Sequence, residues 1–249
     1  MSRTAVFSAL VLRSRASGES NSEVSLLTAE EGIIRATVFG GAKSKLRAHC
    51  APYNSGRVWV YRDKAKEYAK LSDFDVQFWR AGLRELYERT MTAGAIAETI
   101  LASHGGGGEW ESALKMAVET LDMLEGANEE LCCRLLVHFL WRWTYHLGIQ
   151  PHLEDCASCG SDSSAYSEAS GTLWYNLREG SLLCAECVDN SQYIQINPGC
   201  RKWLSATGTL EPAYLHRYSM DNKSFCEAKA LVTAVLTAAF GKRLASWDL

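Results

Sequence analysis

The sequence predicts an α+β protein: an N-terminal five-stranded OB-fold barrel followed by an all-helical domain with an embedded four-cysteine zinc module. Three observations lead there. The first seventy or so residues consist of short alternating apolar segments, apolar residues take up helical spacing from about Ser72, and two Cys-x-x-Cys pairs, Cys156/Cys159 and Cys184/Cys187, stand twenty-four residues apart. A chain of 249 residues, 47% hydrophobic, has the length and apolar content for two cores. The expected boundaries are 1–71 for the barrel and 72–249 for the helical domain, with the zinc module inserted at 152–190.

In chain order, Thr4 to Arg13 alternates in part and is rich in Val, Phe and Leu. Glu23–Thr28 and Gly32–Phe39 read as a strand pair turning at Ala29-Glu30-Glu31-Gly32. Arg57 to Arg62 alternates cleanly, so Arg57, Trp59 and Tyr61 share one strand face while Val58 and Val60 take the other. Glu67 to Leu71 closes the sheet. Barrel closure removes exposed edges, and the OB-fold is the small barrel that carries oligonucleotides on its surface. At Ser72-Asp73-Phe74-Asp75 a capping box is expected to open a helix through Val76, Trp79, Leu83, Leu86, Ile96 and Ile100. The glycine run Gly105–Gly108 ends it as a loop, because four glycines hold a helix only at heavy entropic cost. Helices are expected at Glu109–Leu124 and Asn128–Leu147, the second with Leu131, Leu135, Phe139 and Trp143 on a core stripe and with His138 and His146 as core or surface histidines. A last long helix is expected from a capping box at Ser224-Phe225-Cys226-Glu227 to about Phe240-Gly241.

The doubled cysteine spacing reads as a closed structural zinc site with Cys156, Cys159, Cys184 and Cys187 as ligands, since tetrahedral zinc takes four thiolates from two tight turns. Gly160-Ser161-Asp162 follows the first pair, and Tyr166, Leu173, Trp174 and Tyr175 suggest a short hairpin leading to a second knuckle at Gly180. Two disulfides or a thioredoxin-like redox pair are the alternatives. A redox pair is single and opens a helix after a parallel strand, whereas these lie in a polar, turn-rich segment. The other cysteines, Cys50, Cys132, Cys133, Cys200 and Cys226, are odd in number, and Cys132-Cys133 lies in an apolar helical run as reduced core cysteines do. The apolar octet Ala5–Leu12 after Arg3 is too short to span a bilayer, and Arg13 and Arg15 follow where a cleavage site would need small neutral residues. The expectation is a cytoplasmic, nucleoid-associated protein with no membrane contact.

Net charge is −3, but it is unevenly spread: residues 1–70 hold 12 Lys and Arg against 6 Asp and Glu, and the remainder holds 14 against 23. A basic first domain suggests a polyanionic partner, the alternative being a chance excess on solvated strands. The strongest constellation is Gly40-Gly41-Ala42-Lys43-Ser44-Lys45-Leu46-Arg47, a glycine-opened basic turn suited to phosphates, with Ser44 as a hydrogen-bond donor. Tyr53, Trp59 and Tyr61 follow, interleaved with Arg57 and Arg62, and offer faces on which unpaired bases stack; packing against the helical domain is the alternative for each. Arg13, Arg15 and Arg35 complete the candidate DNA-binding set. No nucleophile elbow, zincin helix, Walker loop or dinucleotide fingerprint is present, which points away from an enzyme.

Taken in order, these pieces resemble the bacterial recombination mediator family RecO. The resemblance rests on Ala9-Leu10-Val11-Leu12-Arg13 with Gly18-Glu19-Ser20, Leu26-Leu27-Thr28 with Gly32, Phe39-Gly40-Gly41-Ala42-Lys43 with Lys45-Leu46-Arg47, and Leu147-Gly148-Ile149-Gln150-Pro151 before Cys156-Ala157-Ser158-Cys159-Gly160. It implies a non-enzymatic protein of DNA recombination and repair. Such a protein binds single- and double-stranded DNA, anneals complementary strands and, with RecR as partner, helps RecA load onto DNA coated with single-strand binding protein. In the closing segment Phe240 to Trp247, Ala245 and Trp247 stand where basic residues flanking Ser246 are expected, which weakens any expectation of DNA or partner contact there. The alternative function is a zinc-containing transcriptional or RNA-binding adaptor, with a redox enzyme third.

Overall fold

The computed structural model describes residues 4–41, 44–63, 68–161, 171–189 and 192–248. Arg3, Ala42, Lys43, Glu67, Asp162 and Tyr166, all named above, lie outside them. The chain divides into two compact units, one through Cys132 and one spanning Cys133 to Asp248.

In the first unit, β1 (Thr4–Ser17), β2 (Asn21–Thr28), β3 (Gly32–Val38), β4 (Ser55–Asp63) and β5 (Tyr68–Phe78) close a barrel in the order β1-β2-β3-β5-β4, the OB arrangement. Closure depends on the length of β1: Thr4–Leu10 pairs with β4 and Ala9–Ser17 with β2, across a bulge between Val11 and Arg13 that turns the strand. Strand alternation sends Phe7, Val11, Leu26, Val38, Val60 and Phe74 into the barrel core. On β4, Val58 and Val60 are buried inward while Arg57, Trp59 and Tyr61 face out, as the alternation predicts.

The basic turn after β3 includes a short helix, α1 (Lys45–His49), rather than open loop alone. Ser44 caps it by accepting the Arg47 N–H, and Leu46 and Cys50 pack against the barrel core. The expected helix start at Ser72 is also corrected, because Ser72–Asp75 is strand. Asp73 pairs with Trp59 and Asp75 with Arg57, burying Phe74 between them, and that long-range ladder overrides a four-residue capping pattern. After β5 the next α-helix is α2 (Tyr87–Ala102), which follows a 3-10 turn at Ala81–Arg84. The helical spacing read from Val76 through Leu83 therefore runs across a strand end and a turn.

Gly105–Gly108 forms the loop to α3 (Trp110–Leu124), and α4 (Glu129–His146) follows close to its expected limits. α2 and α3 belong to the barrel's unit for a visible reason. Leu10 and Leu27, opposite each other on β1 and β2, point out of the barrel yet are fully buried, and these helices cover that part of its wall.

The second unit holds most of α4, a three-stranded sheet in the order β7-β6-β8 (β6 Leu173–Asn176, β7 Ser181–Leu183, β8 Tyr193–Ile196), α5 (Pro198–Thr207) and α6 (Asn222–Phe240). Leu135, Phe139 and Trp143 are buried, and His138 is a core histidine whose Nε2 lies 3.0 Å from the Thr207 carbonyl oxygen. The cap of α6 is Asp221, not Ser224: its Oδ1 accepts the Ser224 N–H at 3.0 Å, while Ser224 Oγ donates to Oδ2 at 2.6 Å. Glu227, the expected capping partner, instead accepts the Asn197 N–H at 2.6 Å. In the tail, Trp247 is buried against Phe240. No described helix is long and apolar enough to cross a membrane.

Candidate metal centre and nucleic-acid face

Two tight turns build the metal centre. In the first, Cys156 carries the Gly160 N–H on its carbonyl and gives its own N–H to Ser161, while the Ala157 N–H reaches across to the Leu182 carbonyl at 2.9 Å. In the second, the Cys187 N–H bonds the Cys184 carbonyl at 3.1 Å. The β6–β7 hairpin delivers Cys184, as the aromatic run predicts, but Gly180 lies in the hairpin turn and not in the knuckle. The third strand, β8, went unread in the sequence.

All four Sγ atoms lie within 4.8 Å of one another, and none is in a disulfide. The Cys159–Cys184 separation of 3.8 Å is far beyond a sulfur–sulfur bond of about 2.05 Å. It matches the edge of about 3.8 Å that a tetrahedron acquires when each thiolate sits about 2.3 Å from its centre. Among the described residues this is the one such cluster of cysteine, histidine and carboxylate side chains.

The electrostatics call for a cation. Burial opposes the Cys156 thiolate, but the Cys159, Cys184 and Ser158 N–H groups outweigh it and bring the thiol down to about 6. Ser161, through its hydroxyl and its N–H, lowers Cys159. Ser158 also favours the Cys187 thiolate, yet the sulfurs of Cys159, Cys184 and Cys156 outweigh it and push that thiol up to about 12. Backbone dipoles thus prepare part of the cluster for negative charge, and the last proton is held because four thiolates repel one another unless a dication sits among them.

The candidate DNA-binding residues fall into separate places on the barrel unit. Arg57, Trp59 and Tyr61 lie on the outer face of β4, where Asp75 is opposite Arg57 and Asp73 opposite Trp59. One guanidinium there faces two carboxylates across the ladder, and at the other end of the row Lys70 stands opposite Tyr61. Arg62 lies on neither face as a free cation: it is ion-paired with Glu31 and sits 5.2 Å over the Phe7 ring. Tyr53 is half-buried, with its hydroxyl 3.7 Å from where a Cβ on Gly94 would sit. Lys45 is exposed and Arg47 half-buried on α1; Lys43 is outside the described residues.

Arg13, Arg15 and Arg35 share the other outer face. Register aligns Arg13, Ser25 and Arg35 across β1, β2 and β3, and Arg15, Glu23, Thr37 and Lys70 across β1, β2, β3 and β5. Four cations surround one carboxylate. Phe39, just past β3, is 44% exposed and follows Arg35 and Thr37 in the alternation, with Ile34, Ala36 and Val38 inside. Lys70 Nζ lies 5.3 Å from its ring centroid and the Tyr68 ring 6.2 Å away. Sequence reasoning missed Phe39 and Lys70 as site residues, although the period-two pattern along β3 already put Arg35, Thr37 and Phe39 on one side.

A closed OB-like barrel with a cationic outer face, together with a knuckle of four cysteines at metal-binding distance, defines the class of protein. Comparison with known proteins narrows it. A family model described as "Recombination protein O N terminal" matches residues 1–77, and one described as "Recombination protein O C terminal" matches residues 84–248. The chain belongs to the recombination protein O family. Among its relatives, DNA repair protein RecO of Pelotomaculum thermopropionicum is 28% identical over 201 residues, covering 80% of this chain and 74% of the relative. DNA repair protein RecO of Bacillus subtilis is 24% identical over 226 residues, covering 90% and 84%. That of Nitratidesulfovibrio vulgaris strain DP4 is 29% identical over 184 residues, covering 72% and 71%.

Proposed function

We propose that this protein is a non-enzymatic mediator of recombinational DNA repair. It binds single- and double-stranded DNA through its barrel, anneals complementary strands, and with RecR assists RecA loading onto DNA coated with single-strand binding protein, in the cytoplasm at the nucleoid. Family membership across both halves of the chain supports the repair role. The observation that carries DNA binding is the outer face of β1, β2, β3 and β5, where Arg13, Arg15, Arg35 and Lys70 outnumber Glu23. Such a face holds phosphates electrostatically without reading sequence.

The metal of the knuckle is proposed to be zinc, bound by Cys156, Cys159, Cys184 and Cys187 and structural, because four thiolates fill a tetrahedral shell and leave no open position. Its contribution is to hold the two turns and the β6–β7 hairpin as one body. The test is strand annealing: complementary oligonucleotides, bare or coated with single-strand binding protein, should anneal faster with this protein in the absence of ATP. No acceleration in either state refutes the mediator reading, and binding that depends on one particular sequence favours a sequence-reading adaptor instead.

A further inference from the structure

We propose that Phe39 is the platform on which an unpaired base stacks, and that a single strand runs along the outer face of β3 between Arg35 and Lys70 rather than over Trp59. The inference rests on the DNA-binding reading above and goes beyond it by naming the path and the stacking residue.

The two sides of the barrel differ in what surrounds their aromatics. On β4, a phosphate placed beside Trp59 meets the Asp73 carboxylate opposite and one beside Arg57 meets Asp75, while Tyr61, opposite Lys70, stands at the edge of the cationic strip. On β3, Phe39 is flanked by Lys70, 5.3 Å from its ring, and continues the row of Arg35 and Thr37. Successive outward residues on a strand are about 6.6 Å apart, so Arg35 and Phe39 span about 13 Å, and a backbone held at both ends has a cation at each and a ring at one. Arg13, across Ser25 from Arg35, extends the positive strip onto β1.

Exposure separates the candidates as well. Phe39 is 44% exposed, whereas Trp59 and Tyr61 are half-buried. The other exposed aromatics of this unit among the described residues lie off the cationic row: Phe78 and Trp79 are at the far end of β5 from Lys70, and Tyr87 opens α2. The Phe39 ring has a cation beside it and Tyr68 tilted at 6.2 Å, the aromatic–cation pairing that grips a base and its phosphate together.

The experiment is a titration of fluorescent oligo-dT, and of a duplex of equal length, with the full chain at several salt concentrations. Phe39→Ala should weaken single-strand binding about 5- to 100-fold at fixed salt, with the salt slope unchanged, because stacking carries no counterion release. Duplex binding should stay at the wild-type level, since paired bases offer no free face. Phe39→Trp should restore single-strand affinity, which a merely structural role would not predict. Lys70→Gln should reduce the single-strand slope by about 0.7. Circular dichroism melts confirm that each variant folds. Single-strand affinity unchanged in Phe39→Ala while Trp59→Ala or Trp79→Ala loses it would overturn the inference and leave DNA binding standing. A wild-type chain that binds neither oligonucleotide sinks the DNA reading itself, and this inference with it.

Discussion

Arg80→Ala should cost the barrel unit about 3 to 5 kcal/mol, more than any surface charge removal in this protein. Arg80 is 3% exposed and sits just beyond β5, where its guanidinium gathers three elements: Nε donates to Asp122 Oδ1 on α3 at 2.7 Å, and Nη1 donates to the Tyr53 carbonyl at 2.8 Å and to Ser55 Oγ at 2.9 Å. Hydrogen bonds from a charged group contribute about 1.5 to 3 kcal/mol each, and a buried acceptor left without its donor costs about 1 to 3 kcal/mol. The Asp122 side chain is 43% exposed, so water re-solvates it and its share falls below about 1 kcal/mol. The Tyr53 carbonyl and the buried Ser55 hydroxyl carry most of the remainder. The already unpartnered Nη2 trims the native gain. Urea unfolding is the assay: with a slope of about 2 kcal/mol/M, the midpoint should drop by roughly 2 M at unchanged slope. Asp122→Asn should shift it far less, separating the hydrogen-bonded hub from a simple ion pair. An Arg80→Ala midpoint within about 0.5 M of wild type would mean that burying the guanidinium costs as much as its bonds return, and would refute the argument.

Replacing Cys184 and Cys187 with serine should abolish the bound zinc equivalent and loosen the knuckle, while the far-ultraviolet dichroism of the helices persists; zinc retained at full occupancy by that variant would refute the four-thiolate assignment. Gly32 and Gly18 have the same φ of +68°, but a Cβ on Gly32 would fall 2.7 Å from Trp110 Nε1 whereas one on Gly18 meets open space. Gly18→Ala should therefore cost about 1 kcal/mol of backbone strain and Gly32→Ala about 1 to 3 kcal/mol more, and equal melting temperatures would show that the Trp110 packing yields without penalty. His138 is held down to about 4 by burial and, secondarily, by Arg142. Its unfolded form takes up a proton first as pH falls, so this stability is complete above about 6.5 and is lost toward 4, up to roughly 3 kcal/mol. His138→Gln should flatten that limb of a stability–pH curve, and an unchanged limb would place the acid sensitivity elsewhere.

Local pattern was sufficient wherever a residue's neighbours lie close in sequence. Alternation along Arg57–Arg62 assigned the two faces of β4, the doubled Cys-x-x-Cys assigned the four thiolates, and apolar spacing found α3 and α4 to within a residue or two. The barrel itself was legible from five short strands.

What remained hidden depends on partners distant in the chain. Ser72–Asp75 has the residues of a helix cap, and only pairing with β4 makes it strand; Ser224 looks like a cap, and only the geometry of Asp221 shows it serving inside the first turn. Likewise, the charge of a barrel face is a property of register. Arg57, Trp59 and Tyr61 read as a strip along their own strand; β5 sets Asp75 and Asp73 opposite the first two and Lys70 opposite the third, and β2 and β3 set Arg35 in line with Arg13. The amino-acid order determined which residues point outward, and cross-strand hydrogen bonding between segments tens of residues apart decided which outward residues became neighbours.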